Sequence, residues 1–229
     1  MKDTILWNKE SDNYTKRAKI SYEDLYNRKI DYDDVEKLTK ILPTRIKTIL
    51  DIGCGFGGFT GKLAEKFPRA KIIGIDPGKR TIALAKNKFK KYKNLSFYVG
   101  HSHKINLNEE QFDLVILRMV FQWIPRKYLF KTIAEIDKLC KNFIFIKEFY
   151  PAIPSSSKSI HDKKIKIFKE DYAKIFISVP WYKLIYKKIQ DKKYGDSFQR
   201  GDFLIQKFSI SKSYIYKKAV QEKDKKTQK

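Results

Sequence analysis

The residues best suited to chemistry lie close together: Asp51-Ile52-Gly53-Cys54-Gly55-Phe56-Gly57-Gly58, followed a strand and a helix later by Asp76. Glycines permit a tight turn and let the backbone approach a ligand closely, while free amides at the start of the next helix attract its negative groups. The spacing Gly53-x-Gly55-x-x-Gly58 satisfies the dinucleotide fingerprint, so NAD or FAD must be weighed. Asp51 argues for a different ligand. It stands two residues before the first glycine, where dinucleotide folds usually keep an apolar residue. There its carboxylate can face a ligand's ammonium group, and no pyrophosphate needs accommodating. Asp76 closes the run Ile73-Gly74-Ile75-Asp76-Pro77, where a carboxylate can accept hydrogen bonds from both hydroxyls of a ribose. Its other open role is to cap the helix that Pro77 introduces.

A second set of candidates lies further along. Arg118 directly follows the apolar run Phe112–Leu117 and can bind an anionic substrate or the carboxylate of a ligand. Glu148 and Tyr150 follow Asn142–Lys147 and are placed to face an acceptor. His161, beside Asp162, can serve as an oriented general base, or stand as a solvated loop histidine. His103 is a lesser candidate of the same kind. Asp171 and Tyr172 can line an acceptor pocket, or cap and pack a helix. Cys54 and Cys140 lack metal-ligand spacing, and no His/Asp/Glu cluster marks a metal site.

The elements that must position these residues alternate between strand and helix. Ile49–Ile52, Lys71–Asp76, Leu95–Val99, Phe112–Leu117 and Asn142–Lys147 are short apolar strands, separated by helical runs at Phe59–Phe67, Arg80–Tyr92 and Lys127–Leu139. This alternation predicts a parallel sheet with right-handed crossovers. Residues 1–43 read as a helical N-terminal cover, with apolar residues recurring at three- and four-residue steps and Pro43 ending its second helix. After Glu148 the pattern loosens into a Pro/Ser-rich loop, Pro151 to Ser159, and a basic amphipathic stretch, Lys163 to Phe176. Tyr182–Ile189 and Phe203–Ile210 read as an antiparallel pair at the sheet edge, and 217–229 as a frayed, charged tail. The expected organisation is one domain over 1–216, with 1–43 as a lid and 150–180 as a substrate-side insertion.

The segment Thr48-Ile49-Leu50-Asp51-Ile52-Gly53-Cys54-Gly55-Phe56-Gly57 resembles motif I of the class I S-adenosylmethionine-dependent methyltransferases almost residue for residue. The resemblance covers roughly 45–150. It implies a Rossmann-like α/β fold: a mostly parallel seven-stranded sheet with an antiparallel edge hairpin and helices on both faces. It also implies S-adenosylmethionine as cofactor, held by Asp51, Gly53, Cys54, Gly55, Gly57, Asp76 and Pro77. Leu117, at the carboxyl end of the fourth strand, would face the methyl donor. In the cover, Trp7, Tyr14 and Arg17 resemble the lid of small relatives, in which an aromatic side chain closes over the cofactor. The sequence departs from the family after strand three. Gly100-His101-Ser102 stands where many relatives have Gly-Asp, so His101 or Ser102 would have to make the adenine contact. Val120-Phe121-Gln122-Trp123-Ile124-Pro125 resembles a segment of trans-aconitate and malonyl-carrier-protein methyltransferases, and the stretch from His161 to Tyr172 is similar to methyltransferases found near sugar and surface-polysaccharide genes.

Composition bounds the rest. The 229 residues are 42% hydrophobic, enough for a packed core, and no apolar run approaches the ~18 residues that cross a bilayer. The N-terminus lacks a long apolar signal core, so a reduced cytoplasmic enzyme without a membrane partner is expected. The net charge of +24 is nearly all lysine, the pattern that AT-rich coding produces, whereas arginine is favoured for bidentate phosphate contacts. The expected function is methyl transfer to oxygen or nitrogen of a small-molecule acceptor, a sugar or sugar nucleotide among the candidates. An RNA methyltransferase using the lysine-rich surface is the alternative. A non-catalytic scaffold is the rival from another class, and intact Asp51, Gly53, Gly55 and Asp76 count against it.

Overall fold

The central apolar runs become parallel strands because they are buried on both faces and need no alternating polar side, whereas the edge run Leu95–Val99 exposes Tyr98 and Val99. The computed structural model describes residues 29–42, 45–107, 111–151, 153–158, 166–190 and 199–208. Among these, the order is α1 (Lys29–Ile41), β1 (Thr48–Ile52), α2 (Gly58–Lys66), β2 (Lys71–Asp76), α3 (Lys79–Lys88), β3 (Leu95–Val99) and β4 (Phe112–Arg118). A short 3₁₀ turn at Phe121–Trp123 leads to α4 (Arg126–Leu139), β5 (Cys140–Tyr150), β6 (Ser155–Lys158), β7 (Lys166–Lys169), α5 (Tyr172–Ile177), β8 (Tyr182–Gln190) and β9 (Gln199–Lys207).

The seven-stranded sheet has the order β3-β2-β1-β4-β5-β9-β8. Its first five strands are parallel, and β9 and β8 close the edge as an antiparallel pair. This is the mostly parallel α/β sheet with an antiparallel edge hairpin that the sequence implied. Successive side chains of each strand feed opposite layers. Leu50, Ile52, Val115, Leu117, Ile144 and Ile146 pack with Leu129 and Ile136 of α4 and Tyr172 and Phe176 of α5. Ile49, Leu114, Ile116, Phe143 and Phe145 pack with Val35 and Leu38 of α1 and Phe59 and Leu63 of α2. Because β1 lies between β2 and β4, the chain leaves the sheet centre in both directions, and a crevice opens at the carboxyl ends of β1 and β4.

The basic stretch from Lys163 to Phe176 does not act as one amphipathic unit. Part of it is β7, which pairs antiparallel with β6 from within the Pro/Ser-rich loop to make a separate two-stranded sheet. The remainder is α5, capped by the Asp171 side chain, which accepts from Lys174 N. The expected helix around Tyr22–Tyr26 and the tail at 217–229 lie outside the described residues. No helix of the described residues is long and apolar enough to cross a membrane.

Candidate active site

The loop after β1 is built by backbone conformation. Gly53 and Gly55 lie at φ 72 and φ 56, in the left-handed region that favours glycine. The amides of Gly53 and Cys54 both donate to Ile75 O, at 2.8 and 2.9 Å, which pins the loop to the end of β2. At Gly53 a Cβ would lie 2.5 Å from Val120 Cγ2, so the loop and the turn after β4 are in direct contact. At Gly55 a Cβ would meet nothing within 4 Å. The open side of that residue is what a closely approaching ligand requires.

Two carboxyl groups flank the loop. Asp76 Oδ2 accepts from Gly55 N at 3.1 Å and Oδ1 from Gly78 N at 2.8 Å. The side chain therefore ties the glycine loop to the turn that starts α3. Burial pushes its carboxyl up to about 6, against the pull of those two amides. Asp51 is 2% exposed, and its Oδ2 accepts from Thr60 Oγ1 at 2.7 Å. Burial pushes it up to about 7, opposed by the Thr60 hydrogen bond and the Arg118 charge. The buried Cys54 thiol is likewise pushed well up.

A cavity of about 480 Å³ opens over the carboxyl ends of the strands. It is lined by Ile52, Gly53, Asp76, Pro77, Gly100, His101 and Ser102 together with His103, Met119, Val120, Trp123, Pro125, Arg126, Tyr128, Lys166 and Phe168. The structure thus brings Gly53, Asp76, Pro77, His101 and Ser102 into one wall. Ser102 Oγ lies 3.1 Å from Thr132 Oγ1, and the His103 ring stacks on Tyr128 at 3.9 Å. Within the lining, the Arg126 guanidinium packs 4.5 Å from the Phe168 ring and pairs with Glu170, where Nη1 donates to Oε2 at 2.7 Å. Lys166 Nζ lies 5.6 Å from the same ring.

Other candidates sit behind this wall. Asp51, Cys54, Gly55, Gly57 and Leu117 belong to the supporting loop and strands and are not lining residues. Arg118 is turned to the opposite sheet face. Its Nη2 donates to Asp31 Oδ1 at 3.0 Å and Asp34 Oδ2 at 2.6 Å, and the guanidinium covers the Phe59 ring at 3.9 Å. Lys147 Nζ donates to both oxygens of Asp34, at 2.7 and 2.9 Å. Glu148 is 1% exposed, with Oε1 accepting from Phe149 N at 3.1 Å and Oε2 from Gln122 N at 3.4 Å. Burial pushes its carboxyl up to about 8, while the amides of Phe149, Gln122, Phe121 and Val120 pull the other way. Tyr172 packs flat on Phe121 at 4.8 Å and donates to Phe168 O, and the Tyr150 hydroxyl accepts from Lys187 Nζ. Trp7, Tyr14, Arg17, His161 and Asp162 lie outside the described residues.

Sequence reasoning missed Arg126, Tyr128 and Lys166. No local signal marks them: α4 and β7 are about forty residues apart and meet only in the fold. Met119 was also missed, although it follows directly on Arg118. Among the described residues no group of His, Cys, Asp and Glu is placed to hold a metal ion.

Comparison with known proteins converges on the same segment. A family model for a methyltransferase domain matches residues 49–142. The chain is 33% identical over 150 residues to malonyl-[acyl-carrier protein] O-methyltransferase 2 of Ilyobacter polytropus, covering 64% of this chain and 54% of that protein. It is 40% identical over 76 residues to malonyl-[acyl-carrier protein] O-methyltransferase of Bacillus anthracis, covering 33% of this chain and 28% of that protein. The chain thus spans about half or less of the length of these curated relatives. Among solved structures, magnesium protoporphyrin IX methyltransferase from Synechocystis PCC 6803 with bound SAH superposes with a TM-score of 0.65 at 14% identity, over 90% of this chain and 100% of that one, a likeness of fold.

Proposed function

We propose that this chain is a class I S-adenosylmethionine-dependent methyltransferase, its residues 49–142 matching a methyltransferase-domain model, and that it moves a methyl group to an oxygen or nitrogen of a small-molecule acceptor. The observation that carries this reading is one cavity lined both by Gly53 of the glycine loop with Asp76 and by Arg126, Lys166 and an aromatic wall. The donor side fits an adenosyl ligand: Gly53 of the glycine loop lines the cavity, and so does the Asp76 carboxyl, with its oxygens fixed by two amides. S-adenosylmethionine supplies an electrophilic methyl group on a sulfonium, and its transfer is an in-line displacement that needs alignment and exclusion of water.

The chain's own residues do the aligning. Asp76 accepts from the ribose hydroxyls, and Gly53 and Gly55 let the backbone approach. Pro77, His101 and Ser102 border the base, and Met119 and Val120 form the wall between donor and acceptor. At the acceptor end Arg126 and Lys166 supply positive charge, and Trp123, Tyr128 and Phe168 supply flat apolar faces. That pairing suits an acceptor with an anionic group and a ring, and a sugar nucleotide is the finer reading. A hydroxyl or ammonium acceptor must also lose a proton. The candidates for its base are His103, in the cavity wall, and His161, which precedes Lys166 in the chain.

Titration calorimetry with S-adenosylmethionine and S-adenosylhomocysteine, with NAD as control, tests the donor side. Wild type is expected to bind both adenosyl ligands, and Asp76→Ala to bind them at least about tenfold more weakly, since it loses charged hydrogen bonds. Preference for NAD, or no binding by either adenosyl ligand, would sink the proposal. Acceptors are then screened by S-adenosylhomocysteine release, sugar nucleotides before RNA. Turnover on RNA alone would move the function to the lysine-rich surface.

A further inference from the structure

Met119 is a non-glycine residue held at φ 58, in the left-handed region, and it lines the cavity. An L-residue there is disfavoured by roughly 1 kcal/mol and persists only when its surroundings over-determine it. Two backbone restraints act on Met119 itself: its N donates to Lys147 O at 2.7 Å, and its carbonyl accepts from Gln122 Nε2 at 3.4 Å. The turn that follows is held from inside by Trp123 N donating to Val120 O at 3.0 Å and from behind by Glu148, whose Oε2 accepts from Gln122 N at 3.4 Å. On the other side of the turn, Val120 rests against Gly53 so closely that a Cβ on the glycine would clash.

We infer that Glu148 is a positioning residue for the methyl transfer: from behind the cavity wall it holds the Gln122 amide of the turn and so fixes Met119 and Val120 against the glycine loop. The inference rests on the methyltransferase reading, and it assigns Glu148 no contact with donor or acceptor. Above about pH 8, where it is ionised, the Glu148 carboxylate presents only acceptor oxygens to the turn. A carboxamide of the same shape offers one oxygen and turns an NH2 group toward donors. Glu148→Gln therefore removes the device with almost no change in volume.

The chain contains two methionines, Met1 and Met119, so a sample labelled with [13C-methyl]methionine carries one reporter on the turn and one at the N-terminus. Met119→Leu assigns them. In wild type the Met119 methyl resonance is expected to be dispersed and to shift when S-adenosylhomocysteine is added. In Glu148→Gln it should move toward the position of a mobile methionine, with adenosylhomocysteine affinity about tenfold lower while the thermal melt stays cooperative. Glu148→Asp, which keeps the acceptor oxygens one methylene further back, should shift the resonance and lower affinity less. It decides the matter if the Gln variant does not fold. An unchanged Met119 resonance and affinity within about twofold of wild type in these variants would overturn the inference. Failure of the wild type to bind either adenosyl ligand would instead overturn the methyltransferase reading beneath it.

Discussion

Gly53 carries two constraints at once, a backbone at φ 72 and a side-chain position already filled by Val120. Gly53→Ala therefore strains the loop twice and should cost about 1–3 kcal/mol of stability together with most donor affinity. The double variant Gly53→Ala/Val120→Ala relieves the contact and leaves the backbone strain. It should recover part of the stability in urea titrations and less of the affinity by calorimetry. If the double variant recovers nothing, the close approach of loop and turn is not what requires a glycine. The sequence made this much of the site readable because backbone-coded positions announce themselves: a glycine at a required spacing, an aspartate at a strand end. Asp76 was read with two open roles, cap and ribose acceptor; the helix N-cap is Gly78, and Asp76 accepts from the Gly78 amide while its carboxyl lines the cavity. Arg118 was not readable in this way. Its place after β4 is evident, but the face it turns to depends on Asp31 and Asp34, more than eighty residues earlier.

At the scale of elements, α1 is attached to the sheet by charge as well as by Val35 and Leu38. Asp31 and Asp34 are 0% and 1% exposed and meet Arg118 from β4 and Lys147 from β5, while Lys37 pairs with Asp202 on β9. Burial alone would raise Asp34, yet Arg118 and Lys147 hold its carboxyl below the usual value. Removing one partner of such a network leaves an uncompensated buried charge. Arg118→Met should therefore cost ~3–5 kcal/mol and speed hydrogen exchange along α1, whereas adding Asp31→Asn to it, which leaves Asp34 paired with Lys147, should restore much of the loss. A single variant within about 1 kcal/mol of wild type by urea denaturation would show that the network contributes little. The elements themselves were legible wherever burial enforced a simple pattern. β1, β2, β4 and β5 carry apolar runs buried on both faces, and β8 and β9 show as two further apolar segments. The β6–β7 hairpin was not, because Ser155–Lys158 is mostly exposed and Ser-rich and gains its strand form from pairing with Lys166–Lys169.

For the whole molecule, a net charge of +24 and a set of buried carboxyls pull stability in different directions along the pH scale. Asp51, Asp76 and Glu148 are pushed up to about 7, 6 and 8 by burial, from ordinary values of 3.8 and 4.5. Between the ordinary and the raised value, the folded state holds more protons than the unfolded chain at each of these groups. Stability from them is therefore greatest at acid pH and falls as pH rises through the raised values. Asp34 has the opposite sign: its contribution is present above 3.8 and is lost only in stronger acid, as pH falls through its lowered value. Self-repulsion among the lysines also worsens in acid, as surface carboxylates protonate, but those titrate near pH 4 and change little between pH 5 and 8. In that window the buried carboxyls dominate. Urea midpoints of the ligand-free protein at constant ionic strength should fall from pH 5.5 to about pH 8, and the decline should be shallower in Asp51→Asn, whose amide needs no proton. A midpoint that rises over the same range would mean that these carboxyls are ionised at little cost, and that solvent or a bound cation reaches them in the cleft.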